Sequence, residues 1–185
     1  VITPRDTSLV YGEKIDGIIG FAVLSRYIVK LDYDKMLVTF STNGTIRYPR
    51  GGYLLRPSFN QLVTQPLRVK DNATINSRFL FDLGAGLCML FSKEFAEDSS
   101  LLQKKRKKWV KQGEGLGGKI DMELTVIKEV KVGPYKFRKV PVFVFDDEYN
   151  VTSYPYMGGL IGNDIMRRFN VIMNYQKGDI YISPN

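Results

Sequence analysis

Two stretches of this chain, 142 positions apart, carry the same order of elements. Near the N-terminus, Asp16-Gly17-Ile18-Ile19-Gly20 precedes a helical-looking stretch from Phe21 to Arg26 and the strand-like Tyr27-Ile28-Val29-Lys30-Leu31-Asp32-Tyr33. A turn at Asp34-Lys35 then leads into Met36-Leu37-Val38-Thr39-Phe40. Near the C-terminus the order returns as Gly158-Gly159-Leu160-Ile161-Gly162, a short helix from Asn163, Phe169 to Tyr175, a turn at Gln176-Lys177-Gly178, and Asp179-Ile180-Tyr181-Ile182. At this offset Gly17, Ile19, Gly20, Arg26, Val29, Tyr33 and Lys35 meet identical residues. An internal repeat constrains the architecture more than any single motif does. The repeat is also incomplete. The second copy has an Asp-Leu-Gly-Ala loop, at Asp82, about 75 residues before its Leu-Ile-Gly. Only some 15 residues precede the Ile-Ile-Gly of the first, too few to hold an equivalent loop. The expectation is a piece of a longer protein whose first copy continues upstream, with a first copy that has lost its front half as the alternative.

The sequence ahead of the second copy is built around Arg78-Phe79-Leu80-Phe81-Asp82-Leu83-Gly84-Ala85-Gly86. An apolar run of strand formers ends on one carboxylate, where a charge needs a reason to sit. Gly84 and Gly86 are expected to let the backbone turn sharply. Leu87-Cys88-Met89-Leu90-Phe91 then resumes as a second apolar strand.

Absences narrow the chemistry. The chain has no His, which excludes Ser-His-Asp and Cys-His nucleophilic systems and His-based metal sites. Its one cysteine, Cys88, cannot form an intrachain disulfide, and its apolar neighbours make it a core residue. Any hydrolysis must be carried by carboxylates. No run is apolar for long enough to span a bilayer, and Val1-Ile2-Thr3-Pro4 is not a signal peptide.

The 185 residues suffice for a sizeable core. Abundant Tyr, Phe, Val and Ile, with few long amphipathic helical patterns, predict a mainly β chain. Arg50-Gly51-Gly52 reads as a linker, and Ser92 as the N-cap of a short helix with Glu94 in its first turn. Pro66 to Val69 and Ser77 to Phe81 read as strands around a polar turn at Asp71-Asn72-Ala73-Thr74. Lys104 to Lys108, beside Trp109, reads as a solvated basic loop, and Asp146-Asp147-Glu148 as a solvated turn. With a net charge of +8, residues 104–111 admit a second reading as a polyanion-binding patch, although no nucleic-acid-binding motif accompanies them.

Asp82-Leu83-Gly84-Ala85, taken with Leu160-Ile161-Gly162, resembles the retropepsin-like and pepsin-like aspartic peptidases, and bacterial retropepsin-like members in particular. In that family each lobe pairs an Asp-Thr/Ser-Gly loop with a later hydrophobic-hydrophobic-Gly element leading into a short helix. The resemblance implies a closed, acid-protease-like β-barrel lobe with two short helices over residues 51–185. Residues 1–50 then hold the C-terminal part of a preceding similar lobe plus a linker. It implies Asp82 as a catalytic residue, Leu83, Gly84, Ala85 and Gly86 as the active-site loop, and Leu160, Ile161 and Gly162 as its support. Leu83 departs from the family, which places a hydroxyl residue there. The implied activity is peptide-bond hydrolysis by water activated between two carboxylates, with neither metal nor cofactor. The partner aspartate would come from a missing N-terminal lobe or from a second copy in a homodimer. The alternative is an inactive peptide-binding or scaffolding module on the same fold. The partner is a peptide or protein substrate rather than nucleic acid, and analogy places the protein in the periplasm, outside the cell or on its surface. Gly113 to Gly118 reads as a plain mobile hairpin, with the flap hairpin that closes over substrate as the alternative that the resemblance implies.

Overall fold

The computed structural model describes residues 17–185 except 43, 45, 60, 61, 104, 116, 117, 149–151 and 154. The expectations for residues 1–16, Lys104 and the tip at 116–117 therefore lie outside the described residues.

Among the described residues, thirteen strands and three short helices follow the sequence order. Helix α1 (Phe21–Leu24) leads into the hairpin of β1 (Ile28–Asp32) and β2 (Leu37–Ser41). Short strands β3 (Tyr53–Leu55) and β4 (Ser58–Phe59) precede the long hairpin of β5 (Val63–Lys70) and β6 (Thr74–Phe81). After a turn come β7 (Met89–Ser92) and α2 (Lys93–Asp98), then β8 (Trp109–Gly115), β9 (Gly118–Val132) and β10 (Tyr135–Phe145). The chain closes with β11 (Gly159–Ile161), α3 (Asn163–Met166), β12 (Phe169–Asn174) and β13 (Asp179–Pro184). The chain is mainly β, with α2 and α3 the two helices among the described residues of 51–185.

One sheet runs β4-β5-β6-β11-β7-β10-β9-β8, and β5 also pairs with β9. That extra pairing turns β5, β6, β11, β7, β10 and β9 into a closed ring, removing most of the sheet's edges. Alternation dictates its filling. In β5 the residues Val63, Gln65, Leu67 and Val69 point inward, and Thr64, Pro66, Arg68 and Lys70 face outward or lie half-buried. Pro66, which has no N–H to donate, faces out where β5 has only β6 beside it. Phe79, Phe91 and Phe95 meet pairwise at 5.5–5.7 Å and are buried, fixing α2 to the interior. Ser92 caps α2 by accepting from Phe95 N–H at 3.1 Å, as the Ser-Lys-Glu pattern predicts.

The second sheet runs β2-β1-β12-β13-β3, so the N-terminal and C-terminal hairpins share one layer. The two hairpins have one register. Ile28 faces Ser41 across β1–β2, and Asn170 faces Ser183, each 142 positions further on, across β12–β13. Where β1 meets β12, Lys30 faces Ile172, its own counterpart at the same offset. A local twofold axis therefore passes between those two residues. The contacts at the helices obey it: Tyr33 reaches Asn163 at the start of α3, and Tyr175 packs edge-on against Phe21 at the start of α1.

Several charged positions differ from their expected settings. Arg106, within the basic run, is not solvated: its side chain is 8% exposed and lies 3.1 Å from the buried Asp71 carboxylate. It also donates to Thr125 Oγ1 and to the Val126 carbonyl, so the run is anchored through its middle. Asp147 is buried too, accepting from the N–H and hydroxyl of Thr152 at 2.8 and 2.6 Å, rather than solvated. Cys88 is half-buried at the margin of the core, and the strand it was expected to join begins one residue later, at Met89.

Tyr48 gives this layer a pH dependence. Its ring stacks on Tyr181 at 5.1 Å and its hydroxyl donates to Asp179, which Arg56 also contacts. Burial, followed by the adjacent Asp179 carboxylate, pushes the Tyr48 hydroxyl up from 10.0 to about 12. The proton is held more tightly in the folded chain, so this stabilisation is complete below pH 10 and lost between about pH 10 and 12. Tyr48→Phe is expected to flatten the fall in Tm over that window, read by thermal melts at half-unit pH steps.

Candidate active site

Strand β11 explains how one carboxylate comes to stand at the end of a buried strand. It lies between β6, which enters the Asp82 turn, and β7, which leaves it. Ile161 faces Phe81 in parallel on one side and Met89 in antiparallel on the other. The turn is thus carried on both shoulders by a third strand from 80 residues downstream.

Backbone bonds then close the turn from below. Asp82 N–H donates to the Ile161 carbonyl at 3.0 Å, and Gly162 N–H to the Cys88 carbonyl at 3.0 Å. Asn163 N–H donates to the Ala85 carbonyl at 2.8 Å and Asp164 N–H to the Leu87 carbonyl at 3.2 Å. Carbonyls of the turn thereby satisfy first-turn amides of α3, groups that no intrahelical partner can reach. This approach is close enough to require glycine. A Cβ on Gly162 would stand 2.2 Å from the Leu87 carbonyl oxygen and 2.7 Å from that of Ala85.

The predicted site residues divide accordingly. Asp82, Leu83, Gly84 and Ala85 form the turn, and Leu160, Ile161 and Gly162 pass beneath it, so the structure brings the two groups together. Asp82 is half-exposed, and among the described residues its carboxylate has one hydrogen bond, from Gly84 N–H to Oδ1 at 2.8 Å. Its second oxygen is left for another group. Leu83 packs against the core, where a hydroxyl would lose that contact. Gly86 is different from expectation: its backbone is not left-handed and a Cβ there meets nothing within 4 Å, so the turn does not need glycine at that position.

Two residues that the sequence placed in the element, without a role of their own, have one in the structure. Gly159 has φ of +142°, with space for no side chain, and its only signal was the Gly158-Gly159 doublet ahead of Leu160. Asn163 accepts from the Tyr33 hydroxyl at 2.5 Å, tying α3 to the N-terminal hairpin. At the nearby Cys88, burial and then the charge of Asp164 push the thiol up, which disfavours the thiolate. No group of three or more His, Cys, Asp or Glu side chains gathers among the described residues, and no described helix is long and apolar enough to cross a membrane.

The family profile described as aspartyl protease matches residues 66–165, from β5 through the Asp82 turn and β11 into α3. The chain belongs to the aspartyl protease family. This family member is also similar to a solved structure of a retropepsin-like aspartic protease from Rickettsia conorii, with 17% identity and a TM-score of 0.48. That likeness covers 71% of this chain and 89% of the other. No curated protein sequence matches it.

Proposed function

We propose that the protein is an aspartic endopeptidase, or the C-terminal half of one, in which Asp82 supplies one carboxylate of a catalytic pair. The observation that carries this reading is the seating of the Asp82 turn on β11 and α3, which leaves one carboxylate oxygen without a partner among the described residues. Two carboxylates about 3 Å apart cannot both ionise, so they share a proton and titrate in two separated steps. The ionised group takes a proton from a water as that water attacks the peptide carbonyl. The protonated group donates to the carbonyl oxygen, and the tetrahedral intermediate collapses with proton transfer to the leaving amine.

The domain reading belongs to this proposal: residues 51–185 form one complete lobe, and residues 1–50 hold the end of a first lobe and a linker. The substrate is an extended peptide or protein, and the working enzyme lies in an exported compartment or on the cell surface. A second reading, a peptide-binding module without hydrolysis, is favoured by Leu83, whose apolar side chain brings no hydroxyl to the turn.

Cleavage of an unfolded protein substrate by the full gene product, followed from pH 3 to 8, separates the two. A bell-shaped acidic optimum supports the peptidase. Substrate binding without cleavage across that range leaves the binding module.

A further inference from the structure

Cations gather on the outer face of the ring where β5, β9 and β10 run side by side, and the register sets them directly opposite one another. Arg68 faces Lys131, and Lys131 faces Lys136. In the adjoining row Lys70 and Arg138 flank Glu129 from either side. Val69 and Val130, between the rows, are fully buried, so the charged residues share the opposite, outward face. Five cations thus surround one carboxylate, a net of four positive charges and half of the +8 carried by the whole chain. Glu129 accepts from Arg68 Nη2 at 3.1 Å, and Lys70, Lys131, Lys136 and Arg138 have no ion-pair partner among the described residues. Like charges directly opposite one another destabilise a sheet, so the row Arg68, Lys131, Lys136 needs a reason to stand. The basic run at 104–108 is less concentrated, because Arg106 is neutralised by Asp71 and Lys108 by Glu123.

The row borders a cavity of about 460 Å³, lined by Tyr53, Arg56, Gln65, Arg68, Asn76 and Lys131 among others, with no carboxylate among its described lining residues. The cavity opens where β5 changes neighbours: β4 pairs with Val63 and Thr64 and β9 with Arg68 to Lys70, leaving residues 65–67 uncovered on that side. Gln65 Nε2 donates to the Pro66 carbonyl, which fixes the orientation of the amide. Its Oε1 and Arg68 Nε are buried without hydrogen-bond partners, polar capacity that the wall of the cavity leaves unused. We propose that this cavity binds a small ligand carrying two oxyanion groups, a diphosphate or a dicarboxylate. Directly opposite positions on neighbouring strands stand about 5 Å apart, so the row spans about 10 Å, more than one oxyanion covers. Arg68 brings a planar fork of donors and Lys131 and Lys136 bring point charges, and a bound anion offsets the repulsion within the row. The volume suits a small molecule held in a concavity, unlike the flat face that a long polyanion tracks. Asn76 lies six residues before Asp82 along β6, about 20 Å away, so the site is separate from the Asp82 turn and independent of the peptidase reading.

Calorimetric titration of this 185-residue chain with inorganic pyrophosphate and with succinate, at fixed ionic strength, tests the site. Saturable binding of one equivalent is expected, and it should raise Tm by about 2 °C or more at saturation. Binding of pyrophosphate alone assigns a phosphate ligand, and binding of succinate alone a carboxylate one. Lys131→Gln should weaken that binding about 10-fold. In anion-free buffer the same variant should melt at or above the wild-type temperature, because loss of the middle charge relieves two repulsions. A lysine with a merely structural role would lower the melting point instead. Lys136→Gln repeats the test at a more exposed position should Lys131→Gln fail to fold, and Lys177→Gln, in the turn between β12 and β13, is the control that should bind as wild type. Three results overturn the proposal: no saturable binding of either anion, undiminished affinity in Lys131→Gln and Lys136→Gln, or binding confined to anionic vesicles or single-stranded DNA.

Discussion

Asp82→Asn is expected to reduce peptide cleavage by the full gene product by about 1,000-fold, with Tm unchanged to within about 2 °C. The two halves of that result have separate causes. Asparagine keeps a carbonyl oxygen where Asp82 Oδ1 accepts from Gly84 N–H, so the turn holds its hydrogen bond. The bonds that seat the turn on Ile161, Gly162 and Asn163 are all backbone and do not involve the side chain. What the substitution removes is a group able to share and move a proton, and an amide can neither ionise in the acid range nor take a proton from water. Asp82→Ala makes the complementary point, because it also leaves Gly84 N–H without its acceptor, at a cost of about 1 kcal/mol. The measurement is kcat/KM on one peptide at the acidic optimum, with melts of each variant. Full activity in Asp82→Asn would end the peptidase reading. Retained peptide affinity with lost turnover is the signature of a residue that acts on the reacting atoms rather than on binding.

Leu83 bears on how that activity compares with other arrangements of the same loop. Its side chain joins the hydrophobic cluster that includes Phe81 and Ile161, so it stiffens the turn from its apolar side. A hydroxyl there would offer a hydrogen bond to an opposing loop, and leucine offers burial instead.

The parts of the fold legible in the sequence were those carried by local pattern. Alternation in β5, the Ser92 cap and the repeated hairpins each rest on residues close together in the chain, where period and capping chemistry act directly. Pairing of the Asp82 turn with Leu160 to Gly162 was legible only through family resemblance, because residues so far apart leave no periodic trace of their contact. Charges were the least legible. Arg106 and Asp71 lie far apart in sequence, inside stretches that read as solvated, and only the folded chain shows that they neutralise one another beneath the surface. Asp147 is a similar case, hidden by a turn that brings Thr152 back onto it. Glycines followed the same division. Gly86 was expected to let the backbone turn, and Gly159 was read only as the start of the Gly-Leu-Ile-Gly element, yet it is Gly159 whose backbone requires glycine and Gly86 whose backbone does not.

That reversal carries the largest expected effect on stability. Gly159→Ala is expected to cost more than about 5 kcal/mol, enough to exhaust the margin of an ordinary domain and leave little folded protein. At φ of +142° an alanine is strained before it touches anything. Its Cβ would then stand 1.9 Å from the Leu90 carbonyl oxygen and 2.9 Å from the Phe91 Cα, both backbone atoms. No rotamer change relieves such a contact. Relief by moving β7 is blocked as well, because β7 is bonded to β11 on one side and to β10 on the other, within the closed ring. Displacing β11 instead would pull Ile161 from beneath Asp82, so a variant that did fold would lose the seating of its carboxylate. Gly86→Ala is the control, because its Cβ enters open space four residues beyond Asp82, and its melting point should stay within about 2 °C of wild type. Circular dichroism melts of the two purified variants decide the matter. A Gly159→Ala protein as stable as Gly86→Ala would mean that β11 does not lie against β7 in this register, and with it would go the support on which the Asp82 turn rests.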